Sequence, residues 1–225
     1  MSQVPPTPET TAGPEPVPVR IPSWEDPAQP RLTALVHTLW DVLSHPGKFF
    51  AAMPRQGCLG PLMFGLIVGS FSLLAGFYVE LLLSLGLGQE MQSLPGVARF
   101  MEHSTRTIIA LMILTPGLIL VSLLAGSGCL WGVLRLMGVA ADFAPVLRVN
   151  GYSQGALLAA IVPVLGSLAA ISWNMYLTCK GVQNVFKLTS GRALVAVFLA
   201  LAAEAFLFVV LVIGLGLLFL APRLL

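Results

Sequence analysis

Residues 151–192 read GYSQGALLAAIVPVLGSLAAISWNMYLTCKGVQNVFKLTSGR. Two apolar runs meet at Pro163-Val164-Leu165-Gly166, a joint without charge. A water-exposed turn would carry Asp, Asn, Ser or Lys at that place. The joint therefore suits lipid or a protein interior. The second run leaves the apolar zone through Trp173, Asn174 and Tyr176 before Lys180 and Lys187. Aromatic and cationic residues in that order mark a membrane–water interface. The stretch predicts a membrane hairpin with both ends on one side.

The composition around it agrees. Hydrophobic residues are 56% of the 225 and charged residues 10%, against roughly 25% charged in soluble domains. Mean hydropathy is +0.88. Such a chain cannot keep a folded surface wet, and several of its apolar runs reach the roughly 20 residues needed to cross a bilayer. Net charge is only +2 with no basic cluster, which excludes a nucleic-acid surface. Cys58, Cys129 and Cys179 are scattered and lack any CxxC pair, so neither a disulfide framework nor a zinc site is indicated.

Outward from the hairpin, the expected fold is an all-α membrane protein with three regions. Residues 1–30 hold nine of the seventeen prolines. They predict a disordered Pro-rich tail, too poor in apolar surface to offset its ordering entropy. Residues 31–58 form an amphipathic interfacial segment. Leu32, Leu35, Val36, Leu39, Trp40 and Leu43 follow helical spacing, while Arg31, Thr38, Asp41 and Ser44 take the other side. Trp40, Phe49 and Phe50 are the expected membrane anchors, the alternative being that this face packs on the protein's own helices. Residues 59–222 supply five transmembrane helices: about 61–85, 108–134, the two limbs of the hairpin, and 193–220. Residues 86–106 are read as an outer loop.

The glycine pairs Gly65/Gly69, Gly128/Gly132 and Gly151/Gly155 permit close helix approach. Tyr152 and Gln154 are expected as interfacial hydrogen-bonding groups, and Trp131, Trp173 and Tyr176 as interfacial anchors. Nine Lys/Arg residues fall on the N-terminal side of this scheme, and Arg99, Arg106 and Arg223 opposite. That excess predicts a cytoplasmic N-terminus and, after five crossings, an outer C-terminus.

Two positions invite chemistry. Gly151-Tyr152-Ser153-Gln154-Gly155 has the GxSxG form of a hydrolase elbow, which requires a preceding strand and a later acid and histidine. No histidine follows Ser153, and Glu204 is the sole later carboxylate. No enzyme is indicated, and no cofactor or metal motif occurs. Glu204 lies twelve positions past Arg192, or ~18 Å along a helix and near mid-bilayer. A carboxyl there needs a partner, and Asn174, Ser172 and Ser122 qualify by depth. Either it is a hydrogen-bonded structural acid or it is the centre of a small transporter or channel.

Taken in order, Ile21-Pro22-Ser23-Trp24-Glu25-Asp26, the segment Leu43-Ser44-His45-Pro46-Gly47-Lys48-Phe49-Phe50-Ala51-Ala52-Met53-Pro54, and Gly60-Pro61-Leu62 resemble bacterial members of the Yip1 domain family. So do Gly151-Tyr152-Ser153, Ile161-Val162-Pro163-Val164-Leu165-Gly166 and Ser190-Gly191-Arg192-Ala193-Leu194. The resemblance covers about residues 21–220. It implies a non-enzymatic five-helix protein of a bacterial inner membrane with a cytoplasmic N-terminus, one that organises membrane or binds protein. Its partners would be membrane lipid and membrane or cytoplasmic proteins, with room for an oligomer. Eukaryotic relatives act in vesicle trafficking and contact Rab-class GTPases, and this chain departs from them in having no clear Asp-Leu-Tyr-Gly-Pro-like segment. This chain offers only Asp142-Phe143-Ala144-Pro145, so that role is not carried over. Bacterial relatives often bear a zinc ribbon where this chain has its Pro-rich tail, so no metal is implied.

Overall fold

The computed structural model describes residues 19–91, 95–162 and 165–220, without the side chains of residues 80, 83–91, 95–105 and 215–220. Everything regular among them is helical. The order is a 3-10 turn η1 (Ser23–Glu25), α1 (Arg31–Ser44), α2 (Pro46–Ala52), α3 (Leu59–Met91), α4 (Pro95–Leu136), α5 (Phe143–Ser153), a 3-10 stretch η2 (Gln154–Ile161), α6 (Gly166–Phe186) and α7 (Ser190–Leu220). Prolines punctuate this order as their chemistry requires. Pro46 opens α2, and the preceding His45 leaves helical geometry at φ −132°. Pro61 sits in the first turn of α3, where its missing N–H costs no bond. Pro116 lies inside α4, and Thr115 Oγ1 donates to the Leu111 carbonyl at 2.8 Å.

Among the described residues three helices are long and apolar enough to cross a membrane: Leu59–Val79, Arg106–Leu136 and Ser190–Gly214. The other two expected crossings, α5 with η2 and α6, do not meet that standard. The first is divided into an α-helix of 11 residues and a 3-10 stretch of eight, each too short to cross alone, and Asn174, Thr178 and Lys180 make the second too polar.

The centre of the molecule is α5 and the start of η2. Pro145 to Ala156 is buried throughout except for half-buried Asn150. Around it pack α3, α4 and α6, and α7 closes the bundle against α4 and α6. Val146, Val149 and Tyr152 from α5 join Phe64 and Val68 of α3, Leu130 and Leu134 of α4, Leu177 and Val182 of α6, and Ala196 and Val197 of α7 in one core.

Several sequence expectations change here. Residues 19–30 are ordered and carry η1, so the tail expected over 1–30 is shorter. The remainder of that disordered reading, 1–18, lies outside the described residues. The loop expected over 86–106 is largely helix, because α3 continues to Met91 and α4 begins at Pro95. The uncharged joint retains Leu165 and Gly166, while 163–164 lie outside the described residues. Finally, the apolar face of α1 divides: Leu32, Val36 and Trp40 are 80%, 59% and 68% exposed, whereas Leu35, Leu39 and Leu43 pack on the bundle beside the buried Ala34, Val42 and Thr38, the last of which was expected on the polar side.

Candidate functional site

Two polar assemblies interrupt this apolar framework. The first joins the segment before α1 to the middle of the chain. Arg148, on α5, is completely buried and its Nη2 meets Glu25 Oε1 at 2.6 Å. Its Nη1 donates to the carbonyls of Gln56 (2.8 Å) and Gly57 (3.0 Å). Gly57 takes φ +87°, a left-handed backbone conformation suited to glycine. The Tyr152 hydroxyl, one helical turn beyond Arg148, donates to the same Glu25 oxygen. The guanidinium thus keeps a full counter-charge and two carbonyls inside the protein, the arrangement that makes burial of a charge tolerable.

Trp24 fixes the carboxylate's approach. Its backbone N–H donates to Thr38 Oγ1 and its indole Nε1 to the Gly60 carbonyl, both at 2.9 Å. Gly60 leaves space for Glu25, since a Cβ there would lie 2.7 Å from Glu25 Cγ. Trp24, Phe64, Tyr152, Phe49 and Phe50 form a chain of ring contacts with centroid separations from 5.0 to 6.3 Å.

The second assembly lines an open cavity of about 370 Å³ formed by α3, α4, α5, η2, α6 and α7. Its polar residues are Ser122, Asn150, Gln154, Asn174, Thr178 and Glu204, and the remaining lining is apolar apart from Gly126. Ser122 Oγ donates to Glu204 Oε1 at 3.1 Å, joining α4 to α7. Gly126 gives the carboxylate room: a Cβ there would stand 3.0 Å from Glu204 Oε2 and 3.2 Å from Asn150 Nδ2. Asn150 Nδ2 donates to the Leu123 carbonyl and to Ser127 Oγ. Asn174 Nδ2 donates to the Ser153 carbonyl at 3.0 Å.

Of the residues singled out from sequence, Glu204, Ser122 and Asn174 share this cavity, Ser122 as the direct partner. Asn174 bonds the backbone of α5 instead, and Ser172 faces outward. Gly65 and Gly151 do form a close approach, because a Cβ on Gly65 would come 2.9 Å from the Gly151 carbonyl oxygen. Gly69 abuts Ile119, and Gly155 abuts Leu39. Gly128 and Gly132 have nothing within 4 Å of a built Cβ, so the packing step expected there is absent.

Among the expected anchors, Trp40, Trp173 (43%) and Tyr176 (41%) are exposed, and Trp131 (38%) binds the Ala141 carbonyl through Nε1. Phe50 is 1% exposed and Phe49 packs on Tyr152, which corrects their placement. Phe50 belongs to the bundle core, and the Phe49 ring packs against those of Phe50 and Tyr152. Tyr152 is likewise buried, not interfacial. Ser153 is enclosed with its hydroxyl unbonded among the described residues, on a helix where a hydrolase elbow would follow a strand.

Sequence reasoning missed Glu25, Arg148, Asn150 and the buried role of Gln154. Trp24-Glu25 stood out within a Pro-rich tail, but nothing in its local pattern names a partner over a hundred residues away.

The Yip1 domain model matches residues 40–219. No curated protein and no solved structure matches the chain.

Proposed function

This chain belongs to the Yip1 domain family, and on that premise we propose that it is a non-enzymatic, membrane-organising component of a bacterial inner membrane. Its N-terminal segment and cytosolic loops make lipid or protein contacts. The N-terminus is cytoplasmic, and α5 with η2 and then α6 add two crossings to the three apolar spans. Length supports this count. Eleven residues of α-helix at ~1.5 Å and eight of 3-10 helix at ~2.0 Å reach ~32 Å, and the 21 residues of α6 about the same, against a hydrocarbon core of ~30 Å.

The observation that carries the role is the divided face of α1. Its inner face is held on the bundle by Thr38, Val42 and the Trp24–Glu25 turn, while Leu32, Val36 and Trp40 form an outward apolar stripe. Such a stripe lies stably at a headgroup boundary. Spin labels at Val36 and His37 in the full chain, in nanodiscs, test it. Val36 should be reached by oxygen and His37 by a water-soluble nickel relaxant. Equal nickel access at both would remove the reading.

A second reading has its own support, since Glu204 lines a cavity inside the bundle instead of the lipid-facing surface alone. It makes the protein a small transporter. Glu204→Gln would then abolish a pH-dependent flux into liposomes.

A further inference from the structure

We propose that the Glu204 cavity receives the head of a membrane-resident amphiphile bearing a protonated amine, with the ammonium against the carboxylate and the apolar body along the cavity wall. The inference deepens the transport reading by naming a ligand class for that site, but binding does not require that the ligand be moved.

A carboxyl at bilayer depth calls for a compensating partner. Ser122, a neutral hydroxyl, is its hydrogen-bond donor, and no Lys, Arg or His among the described residues lines the cavity. Both amide hydrogens of Asn150 are spent, on Leu123 and Ser127, leaving its oxygen as the unused group. Asn174 directs its amide nitrogen to Ser153. Gln154, on the cavity wall, commits its backbone N–H to the Gly151 and Tyr152 carbonyls, and its side-chain amide has no hydrogen-bond partner among the described residues. The unused acceptors are the side-chain oxygens of Asn150, Asn174 and Gln154 beside the Glu204 carboxyl, and the complement of that set is a cationic head with several N–H donors.

The rest of the lining decides against a bare metal ion. Hard cations take six or more oxygens, whereas these walls are chiefly aliphatic, the usual make-up of an organic-ligand pocket. A fatty acid would set two carboxyl groups against each other, and an alcohol offers one O–H donor where an ammonium offers three N–H donors. Access is from the bilayer. The lining residues Leu118 and Leu201, 46% and 43% exposed, lie within apolar spans, and Ile171 beside them is 63% exposed.

The test uses the full chain in phosphatidylcholine nanodiscs, labelled with a diazirine-bearing dodecylamine and competed with dodecylamine, 1-dodecanol or dodecanoate. Labelling should map to α4, α6 or α7 around the cavity. Dodecylamine should displace it at a concentration at least about tenfold below dodecanol, and Glu204→Gln should cut labelling by a similar factor, as expected on removing one side of an enclosed charge pair. Leu201→Trp, which narrows the rim and leaves Glu204 in place, should also suppress it, and decides the matter if Glu204→Gln does not fold. Undiminished labelling in the folded variants, or equal competition by dodecanoate, would overturn the proposal. Amine binding without flux would keep this site and remove the transport reading. Flux without amine binding would do the reverse.

Discussion

Glu25 and Arg148, 123 residues apart in sequence, meet at 2.6 Å, with the guanidinium wholly enclosed and the carboxylate side chain 18% exposed. Removing one member of an enclosed pair strands the other and costs about 3–5 kcal/mol, whereas replacing both with apolar groups can be nearly neutral. We therefore expect Glu25→Ala to lower the thermal unfolding midpoint in detergent substantially. The double change Glu25→Leu with Arg148→Met should recover most of it. Equal loss in the single and double variants would show that the charge pair is not what holds the N-terminal turn.

The glycines give a sharper contrast. A Cβ on Gly151 would stand 2.5 Å from the Pro61 carbonyl oxygen, an unyielding backbone atom. Gly151→Ala must push α3 and α5 apart, at a cost of about 1–3 kcal/mol as for other overpacked sites. Gly128→Ala meets nothing, and should be neutral or gain up to ~1 kcal/mol from helix propensity. Chemical unfolding of the two variants side by side checks the order, and the reverse order would refute the packing described here.

These pairs also show what the sequence made legible. Apolar length and proline placement were enough for an all-helical membrane protein and for the three long spans, because both act locally. Ser122 could be named as a partner for Glu204 since depth along two helices fixes their level. Gly128/Gly132 and Gly65/Gly69 are the same pattern on paper, and only the rotation of each helix toward a neighbour separates them. Phe50 and Trp40 were likewise equivalent by periodicity. What told them apart was the packing of α2 on α6, which carries Phe50 into the core, a contact no local spacing encodes.

That difference is measurable. Phe50 belongs to the core and is 1% exposed, so Phe50→Ala should cost about 3–5 kcal/mol of stability. Trp40 is 68% exposed, and Trp40→Gln should leave the unfolding midpoint within about a degree or two, a surface-sized effect. It should instead reduce oxygen access to a spin label at Val36 in nanodiscs. A large stability loss in Trp40→Gln with unchanged label access would mean that α1 rests on protein along both faces.

The proposed orientation can be read through the native thiols. Cys58 is exposed in the segment between α2 and α3, while Cys129 and Cys179 are half-buried. With nine of the twelve cationic residues on the N-terminal side of the scheme, the positive-inside tendency supports the proposal that this segment faces the cytosol. A membrane-impermeant maleimide should therefore label Cys58 in permeabilised cells and spare it in intact ones, and Cys58→Ser should remove most of the signal. A cysteine introduced at Thr105, before the second apolar span and so on the opposite side, should label in intact cells. Labelling of Cys58 in intact cells, with Thr105→Cys protected, would invert the protein and place the stripe of α1 on the outer leaflet.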